Sequence, residues 1–387
     1  MRNKKDMKVR RKQVVLSVLA LCFLVGTLSA SGQKAATEKP QMAEDVFKNV
    51  QVLRGISVDE FMGTMGFIAA SLSMNCVDCH TAASASDVNQ FAVDTPVKQT
   101  ARKMILMVKA INQSNFGGKR EVTCYSCHRG SDRPKTTPSL AEQYGAPPPE
   151  DPDEIEIAES DSRGVSAESI VDTYIQALGG ADQVAKLGTF IAEGTYQGFD
   201  TGSDKVPIEI YAEAPNKRTT IVHLSRGNSI RTYDGRFGWT TSAGTLLPLP
   251  ELALTGGDLD GAKWDAELSF PLQLKQVVHQ WRADTTAIDD KEVDVIEGTT
   301  AGVETEPVKL YFDKQSGLLV RIVRYTATEI GRNPTQIDYS DYRKVAGVQM
   351  PFRWIVTWTD GQSTTELTEV QPNAAINAAR FANPVGQ

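Results

Sequence analysis

The sequence predicts two domains, a mainly α domain followed by an antiparallel β domain with a few helices. Two copies of a Cys-x-x-Cys-His motif lie among helix-forming stretches between residues 43 and 134. Residues 135–163 are rich in proline and acidic side chains, which is typical of an extended linker. From residue 164 onward, β-branched and aromatic residues alternate in runs separated by turn residues, which predicts antiparallel hairpins. A chain of 387 residues is long enough to bury two separate cores.

The N-terminus predicts an export signal. Residues 1–12 are strongly basic, residues 14–28 are apolar, and small residues follow at 29–32. This order is typical of a secretory signal peptide, and the apolar run is shorter than the about 20 residues of a membrane span. We expect a signal peptide over residues 1–32 and a periplasmic protein, with anchoring by an uncleaved signal as the alternative. Cys22 lies inside the apolar run and is expected to be removed with it.

The two motifs have the spacing of c-type haem attachment sites. They are Cys76-Val77-Asp78-Cys79-His80 and Cys124-Tyr125-Ser126-Cys127-His128. In such a site the two thiols bond covalently to the haem and the adjacent histidine ligates its iron. A pair of disulfides would leave both histidines unexplained, and a zinc site with four cysteine ligands would close an unusually long loop. The sequence therefore predicts two covalently attached haem c groups, with Cys76, Cys79, Cys124 and Cys127 as attachment residues and His80 and His128 as iron ligands.

Each iron needs a sixth ligand or an open site, and methionine is the better candidate. The chain has four histidines, and the two outside the motifs, His223 and His279, lie in the predicted β domain, where ordinary structural roles are expected. Methionine is frequent near the motifs, in or beside helices predicted at residues 58–72 and 96–111. Methionine–histidine ligation raises the reduction potential. The alternative is that these methionines fill a helical core. The methionines are Met62, Met65, Met74, Met104 and Met107.

Residues 59–133 resemble the photosynthetic reaction-centre cytochrome c subunit, which is built from repeated units of helix, turn and Cys-x-x-Cys-His. The resemblance implies Met65 as the sixth ligand of the first haem and Met104 as that of the second, with Met62 and Met107 as the alternatives one turn away. The resembling runs are Glu60-Phe61 with Met65, Cys76–His80, Thr100–Met104, Ala110–Asn112 and Val122–Gly130, the last being the most specific. Candidates to neutralise haem propionates, or to form a solvated basic face, are Arg102, Lys119, Arg120 and Arg129.

The chain also departs from that family. It has two haem motifs where the family has four, and no histidine lies between residues 113 and 123, where the family has one. The β domain has no counterpart in the reaction-centre subunit. The resemblance therefore implies a dihaem electron-transfer module and not photosynthesis.

The predicted β domain begins with a helix that Ser166 caps and Gly179 ends, and a second helix is predicted at residues 271–281. It resembles the periplasmic lipoprotein-carrier type of domain, an open half-barrel sheet around a hydrophobic cavity; a plain β-rich docking scaffold is the alternative. The resembling runs are Lys309–Asp313, Gly317–Arg324, Asp338–Arg343, Gly347–Phe352 and Glu369–Pro372. Expected cavity residues are Trp239, Leu246, Leu249, Trp354 and Val356. Predicted strands are Thr189–Gly198, Val206–Ala214, Thr219–Ser225, Val308–Phe312, Leu318–Thr326, Gln336–Tyr342, Phe352–Trp358 and Thr364–Val370.

Three functions follow from these features. The first is an exported dihaem cytochrome that passes single electrons between redox partner proteins, among them a membrane electron-transfer complex, and so acts as a carrier and not an enzyme. The second is a dihaem reductase or peroxidase with one open haem site. The third is a periplasmic protein that binds an apolar ligand in its β domain and carries an accessory haem module. The net charge of −7 argues against nucleic acid as a partner.

Overall fold

The computed structural model describes residues 40–145, 166–241, 249–300 and 306–383. Residues 40–387 belong to one compact unit. The predicted signal peptide and the greater part of the predicted linker lie outside the described residues, and the domain boundaries stay predictions. None of the helices in the described ranges is both long enough and apolar enough to cross a membrane.

Helices and turns make up the described chain from residue 40 to residue 145. The predicted helix at residues 58–72 is confirmed, and the one predicted at 96–111 continues to Asn115. Both have polar caps: the Ser57 hydroxyl accepts from the Glu60 amide at 3.1 Å, and the Thr95 hydroxyl accepts from the Lys98 amide at 3.1 Å. The α-helices are α1 (Ala43–Val46), α2 (Val58–Leu72), α3 (Cys76–Cys79), α4 (Pro96–Asn115), α5 (Cys124–His128) and α6 (Leu140–Tyr144), with 3₁₀ turns at Ala82–Ala85 and Val88–Ala92.

The described strands after residue 145 form one antiparallel sheet of 13 strands. The strand order is β6-β5-β4-β3-β2-β1-β13-β12-β11-β10-β9-β8-β7, so two meanders are joined where β1 pairs with β13. The strands are β1 (Thr189–Gly198), β2 (Val206–Glu213), β3 (Lys217–Leu224), β4 (Gly227–Tyr233), β5 (Gly238–Thr241), β6 (Glu251–Ala253), β7 (Val278–Ile288), β8 (Lys291–Thr300), β9 (Pro307–Asp313), β10 (Leu319–Thr328), β11 (Gly331–Val345), β12 (Val348–Trp358) and β13 (Gly361–Pro372).

Four further helices accompany the sheet. The first is the helix predicted after Ser166, and its cap is confirmed, because the Ser166 hydroxyl accepts from the Ser169 amide. Val171, Tyr174 and Leu178 of this segment are buried in the same cluster as Phe312, so they pack on the sheet. The helices are α7 (Ala167–Ala177), α8 (Ala181–Val184), α9 (Gly256–Glu267) and α10 (Leu274–Val277).

The helix predicted at residues 271–281 is wrong beyond Val277. A 3₁₀ turn at Pro271–Gln273 and the single-turn helix α10 are followed directly by strand β7. Pairing along almost the whole of β8 holds this segment extended, and the apolar Trp281 and Ala283 then pack against the main core. Strand pairing thus overrides the local helical pattern, as is common for short apolar runs.

The sheet curves around α9. This helix packs against β3 and β4 and also against β10. In a flat sheet β4 and β10 would stand about 34 Å apart, at about 4.8 Å for each strand spacing. A helix of 12 residues is only about 18 Å long. The two sides of the sheet must therefore approach each other, and they enclose a concave face.

The helical segment docks on the sheet through the turn between β10 and β11. Ile330, at the tip of this turn, is 1% exposed and lies in one buried cluster with Phe67 and Ile105 of the helices. Gly331 allows the close approach, since a Cβ atom at this position would lie 2.1 Å from the Phe67 ring. The Asn333 side chain also donates to the Gly63 carbonyl at 2.8 Å. Apolar and polar contacts together fix the position of α2.

Two half-buried acids, Asp59 and Asp258, lie where α2 meets α9. The Asp59 carboxylate accepts hydrogen bonds from the amide and hydroxyl of Thr255 at 2.9 and 3.4 Å. Burial, together with repulsion by the Asp258 carboxylate, raises the pKa of Asp59 to about 8. In the folded protein this carboxyl therefore keeps its proton through a pH range in which the unfolded chain has lost it.

We expect Asp59→Asn to become more stable relative to the wild type as the pH rises. Between the ordinary pKa of 3.8 and the folded value of about 8, Asp59 keeps its proton in the folded wild type and loses it in the unfolded chain. The free energy of unfolding of the wild type therefore falls as the pH rises through this range and levels off above about 8. Denaturation midpoints from pH 4 to 9 measure this, with Asp45→Asn at an exposed position as the control. If the denaturation midpoints of the wild type and Asp59→Asn changed in parallel with pH, Asp59 would not retain its proton in the folded protein.

Candidate haem-binding site

The first Cys-x-x-Cys-His motif forms its own short helix, α3, with Cys76 and Cys79 at its ends. The Asn75 side chain accepts from the Val77 amide at 3.0 Å, and the Asp78 carboxylate accepts from the Asn75 amide at 2.8 Å, which completes a capping box. Residues three apart on a helix share one face. The helix therefore presents both thiols on one side.

His80 is held by its Nδ1 atom. Nδ1 lies 3.2 Å from the Phe91 carbonyl oxygen, and the Phe91 ring packs edge-on at 4.8 Å between centroids. A protonated Nδ1 that donates to this carbonyl leaves Nε2 free to accept a metal ion, which is the usual arrangement of a ligating histidine. Burial, followed by the nearby Lys98 charge, lowers the pKa of His80 and favours the neutral ring that ligation requires.

The second motif repeats this construction. Thr123 caps α5 by accepting from the Ser126 amide at 3.3 Å, and the Ser126 hydroxyl accepts from the Thr123 amide at 3.0 Å. Nδ1 of His128 lies 2.9 Å from the Ser131 carbonyl oxygen, so Nε2 is again available. Arg129 ends the helix with a positive φ of 48°. The two motifs thus share a capped helical turn and a histidine whose Nδ1 lies near a backbone carbonyl, but His80 follows its helix in extended conformation whereas His128 lies within its helix.

Among the described residues, the four cysteines form no disulfide with one another. Cys76 and Cys127 are exposed, whereas Cys124 is buried, and burial raises its pKa to about 11. In the described ranges, no group of three or more His, Cys, Asp and Glu side chains has the arrangement of a metal-holding cluster. Each motif thus stands as two thiols and one oriented imidazole.

The segment around the motifs exposes many large hydrophobic side chains. A contiguous exposed apolar surface marks a binding site, and several of these side chains lie on or beside the two motifs and on α4. A haem bound here would cover these side chains with its flat apolar ring and remove them from water, so the residues present fit a haem. The exposed side chains are Met62, Val77, Val88, Val93, Val97, Met104, Leu106, Met107, Phe116 and Tyr125.

The candidate sixth ligands differ in burial. Met65 is half-buried against the cluster that contains Phe67, Ile105 and Cys124. Met104 is 37% exposed on α4, and its alternative Met107 is 45% exposed one turn further along. Met62, the alternative to Met65, is 41% exposed. The assignment of Met65 and Met104 as sixth iron ligands therefore stays a prediction.

The helices and the motifs pack in a reciprocal pattern. Helix α2 precedes the first motif in sequence but packs against α5 of the second, and the Gly130 amide donates to the Ser71 carbonyl at 3.0 Å. Helix α4 precedes the second motif and packs against α3 of the first as well as against α5. The Thr95 hydroxyl links the first motif to α4 by donating to the Cys79 carbonyl at 2.6 Å. Each motif is thus supported by the helix of the other unit.

Asn112 is a positioning residue whose role the sequence did not reveal. Its buried side-chain amide donates to the Val122 carbonyl at 2.7 Å and accepts from the Val122 amide at 2.9 Å. The pair of bonds imitates a strand pairing and fixes the backbone two residues before Cys124. A buried polar residue on the apolar face of a helix is the one signal that could have indicated it.

We expect Asn112→Ala to lower stability and to reduce haem attachment at the second motif more than at the first. The substitution leaves both backbone groups of Val122 without a partner, at a cost of about 1–3 kcal/mol for each buried group. Thermal unfolding and the haem content of tryptic peptides measure the two effects. Asn115→Ala on the exposed side of the same helix is the control. Unchanged stability would show that Asn112 does not hold this segment.

Some predicted electrostatic residues are engaged by the protein itself. Arg102 lies 2.8 Å from the Asp94 carboxylate, and Arg120 donates to the Thr328 carbonyl and lies 3.5 Å from Glu306. Lys119 and Arg129 are exposed. In the sheet, His223 lies 2.9 Å from the Glu209 carboxylate and 2.9 Å from the Asn228 side chain, an ordinary structural setting. For His279 the structure describes only the backbone, within β7.

Residues 24–158 match the family model of the photosynthetic reaction centre cytochrome C subunit. The chain is 38% identical over 106 residues to the subunit of Thermochromatium tepidum, which covers 26% of this chain and 25% of that protein. It is 32% identical over 102 residues to the subunit of Roseobacter denitrificans, covering 24% and 27%. The chain thus spans about a quarter of the length of these relatives. The resemblance that the sequence predicted for this segment is confirmed.

The sheet has its own likeness among solved structures. A LolA superfamily protein from Nitrosomonas europaea is similar to 57% of this chain and 99% of its own, with 14% sequence identity and a TM-score of 0.41.

Proposed function

We propose that this chain, whose residues 24–158 match a reaction-centre cytochrome family, is an exported dihaem c-type cytochrome that transfers single electrons through two Met/His-ligated haems. The observation that supports this most directly is the duplicated motif geometry. In each copy two thiols share a helix, and a histidine Nδ1 is bound to a backbone carbonyl. We further propose a periplasmic location and redox proteins, among them a membrane electron-transfer complex, as partners.

The haem, when bound, supplies the reversible one-electron chemistry. The protein holds and orients it: the cysteines of each motif are fixed by a capping box, and His80 and His128 are fixed through Nδ1. The exposed apolar side chains of the segment would exclude water from the ring faces. The chain thus contributes position and a low-polarity environment, two properties that tune a potential.

Met65 and Met104 complete the ligand sets in this proposal. Met65 lies on α2, which packs against the helix of the second motif, and Met104 lies on α4, which packs against the helices of both motifs. A thioether ligand favours the reduced state and so raises the potential. Methionine at both sites leaves no vacant position for a substrate. The protein would then act as a carrier and not as a reductase or peroxidase.

Carbon monoxide binding separates the carrier from the enzyme. The purified, reduced full-length protein is exposed to carbon monoxide and followed by its optical spectrum. We expect little change within minutes, since both irons are blocked by protein ligands. A rapid change that accounts for one of two haems would favour the reductase or peroxidase with one open site.

Binding of an apolar ligand is a second candidate function, because the concave face of the sheet holds a cavity of about 380 Å³. This volume lies within the range of small-molecule sites. Of the five residues expected to line such a cavity, Trp354 and Val356 do so; Trp239 and Leu249 lie elsewhere, and Leu246 falls outside the described residues. The lining combines apolar side chains with arginines.

A further inference from the structure

The cavity on the concave face has an apolar part. Side chains of four neighbouring strands contribute to it, from β2 through β1 and β13 to β12. They belong to the main hydrophobic core, yet they border open space. Such a surface holds a hydrocarbon chain well, since burial of apolar area on both sides drives binding. Representative residues are Ile208, Phe190, Leu367 and Met350.

The same cavity contains three arginines, which an apolar carrier does not need. Arg218 on β3, Arg231 on β4 and Arg324 on β10 all line it, and all three contact α9. Strands β3 and β4 are neighbours, whereas β10 lies far from both in sheet order, and the curvature of the sheet brings all three arginines under one helix. Gly261 of α9 leaves room for this arrangement, since a Cβ atom there would lie 2.5 Å from the Arg324 guanidinium carbon.

These arginines are incompletely satisfied. In each of them the Nε atom is buried and has no hydrogen-bond partner among the described residues. Arg218 donates to the Ser269 hydroxyl at 2.8 Å and to the Asp265 carbonyl at 3.4 Å, while Arg324 reaches the Gly257 carbonyl at 3.5 Å. A buried polar donor without a partner is costly, and so buried donors in native proteins are normally paired.

Nearby carboxylates do not supply the missing hydrogen-bond acceptors. Across the described ranges, no carboxylate oxygen lies within 4.0 Å of Arg218 or Arg324. Asp258 faces Arg231 at 3.8 Å but is also engaged with Asp59. Asp265 and Asp260 attract the guanidinium groups only from a greater distance. Burial accordingly lowers the pKa of both Arg218 and Arg324.

We propose that this cavity binds an amphiphile with one hydrocarbon chain region and one anionic head group, with the head at Arg218 and Arg324 and the chain along β1, β2, β12 and β13. The head group is a carboxylate or a phosphate, since both accept hydrogen bonds from planar guanidinium groups. The site is independent of the haem motifs and does not rest on the proposed electron transfer.

Binding of oleate to the purified full-length protein tests the proposal, with oleyl alcohol as a matched probe that has the same chain and no charge. Isothermal titration is expected to give at least tenfold tighter binding of oleate. Inorganic phosphate alone is expected to bind much more weakly, because it lacks the chain. Dioleoyl phosphatidate tests the phosphate head group: binding tighter than that of oleate assigns the site to a phospholipid, and weaker binding assigns it to a fatty acid.

Arg218→Gln and Arg324→Gln are each expected to weaken oleate binding about tenfold to a hundredfold, the effect of losing one charge-assisted hydrogen bond. Oleyl alcohol binding should stay unchanged. Arg324→Lys, which keeps the charge but loses the planar guanidinium group, should bind oleate with an affinity between those of the wild type and Arg324→Gln. Arg343→Gln at an exposed ion pair is the control. Equal binding of oleate and oleyl alcohol by the wild type, or no binding of either, would overturn the proposal even if a glutamine variant failed to fold.

Discussion

Replacement of both Cys124 and Cys127 by serine is expected to lower the intact mass of the purified protein by one haem and to leave the first haem attached. Each motif has its own capping box and its own carbonyl to orient the histidine, so attachment at one does not require the other. The paired variant Cys76→Ser with Cys79→Ser should lose the other haem. Intact mass and haem staining after denaturing electrophoresis measure both.

The two paired variants should differ in stability. Cys124 is buried with Phe67, Ile105 and Ile330, where helices and sheet meet, whereas Cys76 is exposed. Loss of the second haem should therefore lower the thermal midpoint more than loss of the first. Retention of two haems by either variant would contradict covalent attachment at the mutated motif. Equal losses of thermal midpoint in the two variants would contradict the larger stabilising role expected for the second haem.

The second large effect is expected at the methionines. Met65→Ala and Met104→Ala should each abolish the weak far-red absorption of methionine–iron ligation for one haem and lower the potential of that haem. Met62→Ala and Met107→Ala, one turn away on the same helices, are matched controls and should change neither property. Loss of the signal in Met107→Ala and not in Met104→Ala would move the assignment by one turn.

Stability separates ligation from packing in these variants. Met65 is half-buried, so Met65→Ala should also destabilise the fold. The loss should be smaller than the about 2–5 kcal/mol that replacing a fully buried methionine by alanine costs. Met104 is exposed, so Met104→Ala should change the spectrum with little loss of stability. A spectral change in Met104→Ala without destabilisation is thus the clearer proof of ligation.

Local signals in the sequence predicted the elements around the motifs well. Helix α2 was predicted at its observed limits, and in the structure the Ser57 hydroxyl caps its start. The β1 strand was likewise predicted at its observed limits. Such features depend on residues only a few positions apart.

Features that depend on distant residues could not be predicted. Strand β7 carries a helix-like pattern and becomes a strand only through pairing with β8. The convergence of Arg218, Arg231 and Arg324 depends on the curvature of the sheet. The insertion of Ile330 beside Cys124 joins residues about 200 positions apart, and no local pattern indicates it.

The position of Ile330 gives the sheet a direct influence on the second motif. The turn that carries it contacts the cluster around Cys124, and Arg120, four residues before that cysteine, donates to the Thr328 carbonyl of the same turn. Glu329 also pairs with Lys109 of α4. The β structure therefore supports the haem segment as well as enclosing its own cavity.

A redox titration of the purified full-length protein, followed by its optical spectrum and combined with intact mass, tests the central proposal most directly. The account predicts two attached haems, two one-electron transitions and low-spin spectra with methionine ligation throughout. A single haem, or a high-spin iron in the oxidised protein, would contradict it.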